Sequence, residues 1–157
     1  MLLAILLFSG ASVSAGSKLP IDLQSDQFHI DMDRGTHILS GNASLIQGGL
    51  SIHADQIKVK PVSGAISSLS ASGSPLLLEN ISVASLPMRA HANSIQYETR
   101  KWTLILTGNV KLMTPSWEAK SDSAKYNLRR QLITLVGNKI NRVKIRFYAI
   151  KIASEKK

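Results

Sequence analysis

Ser25-Asp26-Gln27-Phe28-His29-Ile30, running on through Ser40-Gly41-Asn42, returns later in the chain as Ala92-Asn93-Ser94-Ile95-Gln96-Tyr97, running on through Thr107-Gly108-Asn109. No gap interrupts the match. It continues with Ala54-Asp55-Gln56-Ile57-Lys58-Val59 against Ser121-Asp122-Ser123-Ala124-Lys125-Tyr126. A fixed internal period sets an architecture before any single motif does. Inside the repeat the period is 2: Phe28, Ile30 and Met32 alternate with His29, Asp31 and Asp33, and Ile95 and Tyr97 alternate with Gln96 and Glu98. Val110 and Leu112 alternate with Lys111 and Met113 in the same way. That spacing predicts half-buried strands. Leu104-Ile105-Leu106 is apolar throughout and reads as a segment covered on both sides. Beyond the first residues no window holds a helical period, so the chain is all-β.

Two markers punctuate the strands. One is a small residue followed by Asp or Asn: Ser25-Asp26, Ala54-Asp55, Ala92-Asn93 and Ser121-Asp122. The other is a glycine. Gly41 follows Asp26, Gly108 follows Asn93 and Gly137 follows Asp122 at one identical spacing, and Gly73 follows Asp55 at a slightly longer one. Asp and Asn can bond their own backbone and open a turn. Gly-Asn pairs tolerate positive φ where a chain turns or bulges. Four units of one module, grouped as two similar halves, are therefore expected. The stretch Lys60-Pro61-Val62-Ser63-Gly64 and the run from Ser67 to Ser74 are rich in Ser and Gly, and read as the loosest hairpins. Gly48-Gly49 reads as a hairpin turn, and Pro75 and Pro87 belong at strand starts or edges. Near the end, Arg142-Val143-Lys144-Ile145-Arg146-Phe147 alternates strictly between basic and apolar residues. With Ala149-Ile150-Lys151-Ile152 it reads as a long final strand, Asn141 to Ile152, bulged near Tyr148.

The chain has 157 residues, 44% of them hydrophobic, enough for one domain with a real core. Met1-Leu2-Leu3-Ala4-Ile5-Leu6-Leu7-Phe8 and the small residues ending at Val13-Ser14-Ala15 have the form of a secretory signal, although no Lys or Arg precedes the apolar run. This run is far shorter than the roughly 20 residues a membrane span needs. Cleavage is expected after Ala15, leaving 16–157 as a single domain. Cysteine is absent, so an exported form has no disulfides and no thiolate chemistry. Charge is concentrated at the end: from Leu128 onward nine Lys or Arg face only Glu155. Nucleic acid is the usual partner of so basic a protein but does not suit an exported one. Anionic lipid headgroups, an acidic protein partner, or plain solvation remain as uses of that segment.

Pro20-Ile21-Asp22-Leu23-Gln24-Ser25-Asp26-Gln27, then Leu39-Ser40-Gly41-Asn42-Ala43, then Ile52-His53-Ala54-Asp55-Gln56-Ile57 resembles the LptA (OstA-like) family of periplasmic lipopolysaccharide-transport proteins. Ala90-His91-Ala92-Asn93 and Leu106-Thr107-Gly108-Asn109 agree in the second half, and the resemblance spans about residues 19–147. It implies a twisted, open β-jellyroll built from repeated antiparallel strand units in two similar halves. It also implies an apolar interior carrying lipid A acyl chains from the inner to the outer membrane. By parity and resemblance together, Ile21, Leu23, Phe28, Ile30, Leu78, Ile95, Tyr97, Leu112 and Phe147 line that interior. The same alternation equally describes a filled core.

Sheet edges supply the second expectation, because an unpaired strand can accept a strand of another chain. Pro20, Ile21 and Leu23 would form one such edge, and Arg142, Val143, Lys144, Ile145, Arg146 and Phe147 the other. The resemblance implies that the first meets an inner-membrane transport component with a similar periplasmic domain. The second would meet the N-terminal periplasmic domain of the outer-membrane translocon, or another copy of the chain head to tail. Charged ends that merely prevent pairing are the alternative. Two further readings stay open: an inner-membrane-anchored sister component of the same system, and a structural β-repeat protein. Catalysis finds no support, since His29, His37, His53 and His91 are scattered and no metal-ligand spacing, phosphate loop or nucleophile elbow occurs. Asp31 and Asp33 share one side of a strand, as a solvated face does, and Asn42 and Asn80 head sequons that arise readily by chance. No cofactor or metal is expected.

Overall fold

Ten strands form one antiparallel sheet in the computed structural model, which describes residues 20–149 apart from 48, 49, 64, 84 and 85. The strands are β1 (Ile21–Gln24), β2 (Gln27–Asp31), β3 (Thr36–Gln47), β4 (Leu50–Val62), β5 (Ala65–Val83), β6 (Leu86–Glu98), β7 (Thr103–Met113), β8 (Trp117–Asn127), β9 (Leu132–Val136) and β10 (Lys144–Phe147). Their order across the sheet is β1-β3-β4-β5-β6-β7-β8-β10, with β2 also on β3 and β9 also on β8. The repeat is legible in these bounds: β3 starts at Thr36 and β7 at Thr103, β4 at Leu50 and β8 at Trp117. β1 and β2 together are the counterpart of β6, and β9 with β10 that of β5. Counterparts inside the sheet are continuous; those at its two edges are broken in the middle.

The break falls on the two markers, which are bends within strands and not the turns between them. Register shifts occur between Ser40 and Ala43, His53 and Gln56, Ser72 and Leu76, His91 and Ser94, and Thr107 and Val110. Together they draw one line across the whole sheet. At this line Gly41 and Gly108 hold φ of 77° and 79°, and the following Asn42 and Asn109 hold 45° and 49°. A Cβ on Gly41 would lie 2.6 Å from an Asp26 carboxylate oxygen, and one on Gly108 would lie 2.6 Å from the Asn93 amide nitrogen. The acid or amide of one marker thus occupies the space that the glycine of the other leaves free. Asn42 also donates to Asp26 at 2.9 Å, and Ser25 and Ser121 each donate to the carbonyl two residues on, at 2.8 and 2.9 Å. The Ser67 to Ser74 run, expected as a loose hairpin, lies inside β5. Pro75 likewise sits mid-strand, where the shift to Leu76 removes the need for its missing N–H.

Cross-strand partners share a face, so the register defines the rows of the interior. One row runs Phe28, Leu39, Ile57, Ala71, Ile95, Leu106, Ala124, Leu135. Beyond the bend another runs Leu23, Leu45, Ile52, Leu78, Ala90, Leu112, Ala119, Ile145. The middles of both rows are buried in one apolar cluster. No helix covers them among the described residues; the short 3-10 turn Thr99–Lys101 lies at a hairpin. An apolar sheet face needs a second layer, so here the sheet supplies it by folding along its bend line. Small residues flank that line: Ala43, Ala54, Ala92 and Ser121 are all buried. The outcome is a β-jellyroll left open, since the edges β1/β2 and β9/β10 pair with nothing further among the described residues.

Candidate functional site

The register brings all nine expected lining residues to the inner face, but gives them three different environments. Leu78, Ile95 and Leu112 lie in the centre of the sheet, each only 1% exposed. Ile21, Leu23 and Tyr97 are partly buried and pack against the central cluster. Phe28, Ile30 and Phe147 are 52%, 45% and 75% exposed. The interior is therefore packed in the middle and apolar but uncovered at both edges. Alternation alone predicts a half-buried β2; among the described residues it pairs with β3 alone, and its Phe28 and Ile30 are exposed, as is Met32 in the turn that follows. Leu104-Ile105-Leu106 also differs from expectation: Leu104 and Leu106 are buried, while Ile105 faces outward and is partly exposed.

Further from the bend, the interior acquires polar groups. The row Ile30, His37, Val59, Leu69, Tyr97, Leu104, Tyr126, Ile133 crosses the same eight strand segments. Burial pushes the phenols of Tyr97 and Tyr126 above their ordinary pKa, so both stay neutral across physiological pH. The His37 ring meets Phe28 edge to face, centroids 5.6 Å apart. Among the described residues no buried side-chain nitrogen or oxygen lacks a partner, and no group of three His, Asp or Glu stands together as a metal site would.

The terminal strand is shorter than its alternation implied. Only Lys144 to Phe147 pair with β8, opposite Lys120 to Trp117. Arg142 and Val143 precede the strand in the segment that follows Gly137. The continuation at 150–152 lies outside the described residues, as do Gly48-Gly49 and the expected signal from Met1 to Ala15. Ile145 and Phe147 point inward, opposite Ala119 and Trp117, and both are exposed. On the outer side Arg146 reaches the Glu118 carboxylate at 3.7 Å, which Lys111 meets from β7 at the same distance. Tyr148 adds a contact that no sequence pattern signalled. Its backbone N–H donates to the Ser116 carbonyl at 2.9 Å, and its hydroxyl hydrogen-bonds Glu118. That bond, with Lys111, Arg146 and Lys120 nearby, holds the Glu118 carboxyl below its ordinary pKa and raises the Tyr148 phenol. At the opposite edge β1 pairs through Ile21 to Gln24 with β3 and with no other strand among the described residues, and Pro20 is exposed beside it.

A sheet bent along a line of glycines, apolar within and open at both edges, has close counterparts. The crystal structure of LptH, the LptA-homologous periplasmic component of the lipopolysaccharide transport device of Pseudomonas aeruginosa, matches with a TM-score of 0.73 at 18% identity. The match covers 83% of this chain and 96% of that one, and shows the fold. The lipopolysaccharide export system protein LptA of Escherichia coli K12 is 28% identical over 134 residues, which is 84% of this chain and 72% of the relative. LptA of Haemophilus influenzae is 25% identical over 127 residues, 79% of this chain and 74% of the relative. The sequence pattern of the family described as LptA/(LptD N-terminal domain) LPS transport protein matches residues 22–132. The chain thus belongs to the LptA/LptD N-terminal domain family of lipopolysaccharide transport proteins.

Proposed function

We propose that this protein is a non-enzymatic periplasmic carrier that holds the lipid A acyl chains of lipopolysaccharide between the two folded halves of its sheet and hands them from inner to outer membrane. The observation that carries the reading is the continuity of the inner rows. Each crosses eight strand segments without an acidic or lysine or arginine residue, is buried in its middle and loses cover toward its ends. There Leu23, Ile133 and Leu135 are partly buried and Phe28, Ile30 and Ile145 are exposed, with Phe147 a further exposed apolar side chain on the strand of Ile145. Acyl chains gain about 0.8 kcal/mol per CH₂ removed from water, so such ends are entry points for a long chain. A second copy or a like domain, added edge to edge by β-strand pairing, would cover these residues and continue the rows. Such contacts are heterologous and extend into a filament. The partners on this reading are an inner-membrane component with a similar periplasmic domain, the N-terminal domain of the outer-membrane translocon, and the chain itself. The segment from Met1 to Ala15 acts as the export signal.

The test is a photo-crosslinking amino acid at Phe28, on the inner face, compared with one at His29, on the outer face of the same strand. Lipopolysaccharide adducts at position 28 and none at 29 are expected in cells. Equal capture, or none at 28 from a folded protein, would leave the interior a structural core and overturn the carrier role.

A further inference from the structure

The outer face carries a feature that the acyl-chain reading does not use. The register sets His91, Lys111, Lys120 and Lys144 directly side by side on the successive strands β6, β7, β8 and β10. Arg142 joins them from the segment before β10, and together they line a concavity of about 350 Å³ with no carboxylate in its described lining. Like charges directly opposite one another weaken a sheet. Here three lysines in a row do so with little relief. Lys111 shares Glu118 with Arg146, and Lys120, Arg142 and Lys144 form no ion pair among the described residues.

The loop over this row is built, not slack. The Asn138 side-chain oxygen accepts from the N–H groups of Ile140 and Asn141 at 2.9 and 2.6 Å, and the Asn138 N–H donates to the Asn141 carbonyl at 2.9 Å. Gly137 lies so tightly beneath that a Cβ there would come within 2.6 Å of the Asn141 carbonyl oxygen and 2.8 Å of the Val143 nitrogen. Asn141 and Arg142 are thereby held at the concavity, where Asn93 and Asn109 also belong to its lining.

We propose that this concavity is a binding site for a phosphorylated saccharide. The basic side chains of Lys111, Lys120, Lys144 and Arg142, lining one concavity, match a phosphate dianion, and Arg142 offers the paired donors that phosphate oxygens accept. The remaining volume and the three amides suit the hydroxyls of an attached sugar. The site faces away from the apolar interior, and the proposal stands apart from acyl-chain binding.

The test is titration of the ¹⁵N-labelled full chain, at fixed ionic strength, with glucose 1-phosphate and with inorganic phosphate. Vesicles of phosphatidylglycerol and phosphatidylcholine are assayed in parallel by sedimentation. Saturable shifts of the Asn93, Asn109 and Asn141 amides are expected with glucose 1-phosphate, at several-fold lower concentration than with inorganic phosphate. Lys120→Gln with Lys144→Gln should weaken binding at least tenfold, while the melting temperature holds or rises because the repulsion is relieved. Lys58→Gln with Lys60→Gln removes the same charge from a concavity of equal volume that contains Glu98, and should change affinity less than twofold. Absence of saturable shifts, or equal loss in both double variants, overturns the site. Equal affinity for both phosphates overturns the saccharide, and sedimentation with vesicles without response to either soluble phosphate replaces it with a lipid surface.

Discussion

Truncating Leu112 to alanine tests whether the middle of the interior is packed solid, which decides how a lipid would enter under the proposed carrier role. Leu112 is only 1% exposed, and its cross-strand partners on either side are Ala90 and Ala119. With alanine at 112 the row would hold three successive methyl groups, and no larger neighbour along it could collapse into the gap. Buried Leu→Ala changes cost about 2–5 kcal/mol, the larger values where the cavity persists, so about 4 kcal/mol is expected here. At about 2–4 °C per kcal/mol for a chain of this size, the melting temperature should fall by about 8–16 °C. Phe28→Ala is the comparison. Half of that side chain is already in water, and full burial of a large apolar side chain is worth about 1.5–3 kcal/mol, so about 1 kcal/mol is expected. Urea unfolding followed by circular dichroism, with the slope checked for constancy, measures both. A Leu112→Ala cost below about 1.5 kcal/mol, or one equal to that of Phe28→Ala, would refute the closed centre and imply a groove open along its whole length.

Two further outcomes follow from the bend line and the terminal strand. Gly108→Ala places a Cβ against Asn93 at a positive φ and should cost about 2 kcal/mol. In an Asn93→Ala background the same change should cost at least about 0.5 kcal/mol less, because the nearest clashing atom is gone; strict additivity would show that marker and glycine do not share that space. Glu118 has a depressed pKa, so its hold on β10 is complete above its ordinary value of 4.5 and is lost as pH falls through the lower folded value. Tyr148 has a raised pKa, so its contribution is complete below 10.0 and is lost as pH rises through the higher folded value. Trp117 fluorescence in a Trp102→Phe background reports Phe147 leaving it. Glu118→Gln should flatten the acid limb, and an unchanged acid limb would remove Glu118 from this role.

Much of this fold was legible in the chain because strand parity and repeat spacing are local. Period 2 identifies inner and outer positions, and the return of the Ser25 motif at Ala92 identifies which strands are equivalent. The markers were legible as positions but not as bends, since Asp, Asn and Gly serve turns and bulges alike and only the paired register tells them apart. The Ser67 to Ser74 run misled for the same reason: composition describes a loose loop, whereas two flanking partners hold it in β5. The outer row His91, Lys111, Lys120, Lys144 was not visible at all, because its members stand far apart along the chain at unequal spacings and meet only through three registers.

Phe28 and Ile95 show where the sequence stops. They are equivalent positions of the repeat and lie in the same row of the same face, and the sequence by itself determines that much. Yet Phe28 is half exposed and Ile95 is buried. Ile95 stands on β6, with a hydrogen-bonded strand on each side and the folded-over sheet above it. Phe28 stands on β2, which among the described residues pairs with β3 alone. A side chain's pattern assigns its face. Whether that face is sealed as core or open to a ligand depends on how many strands surround it, which only the assembled sheet decides.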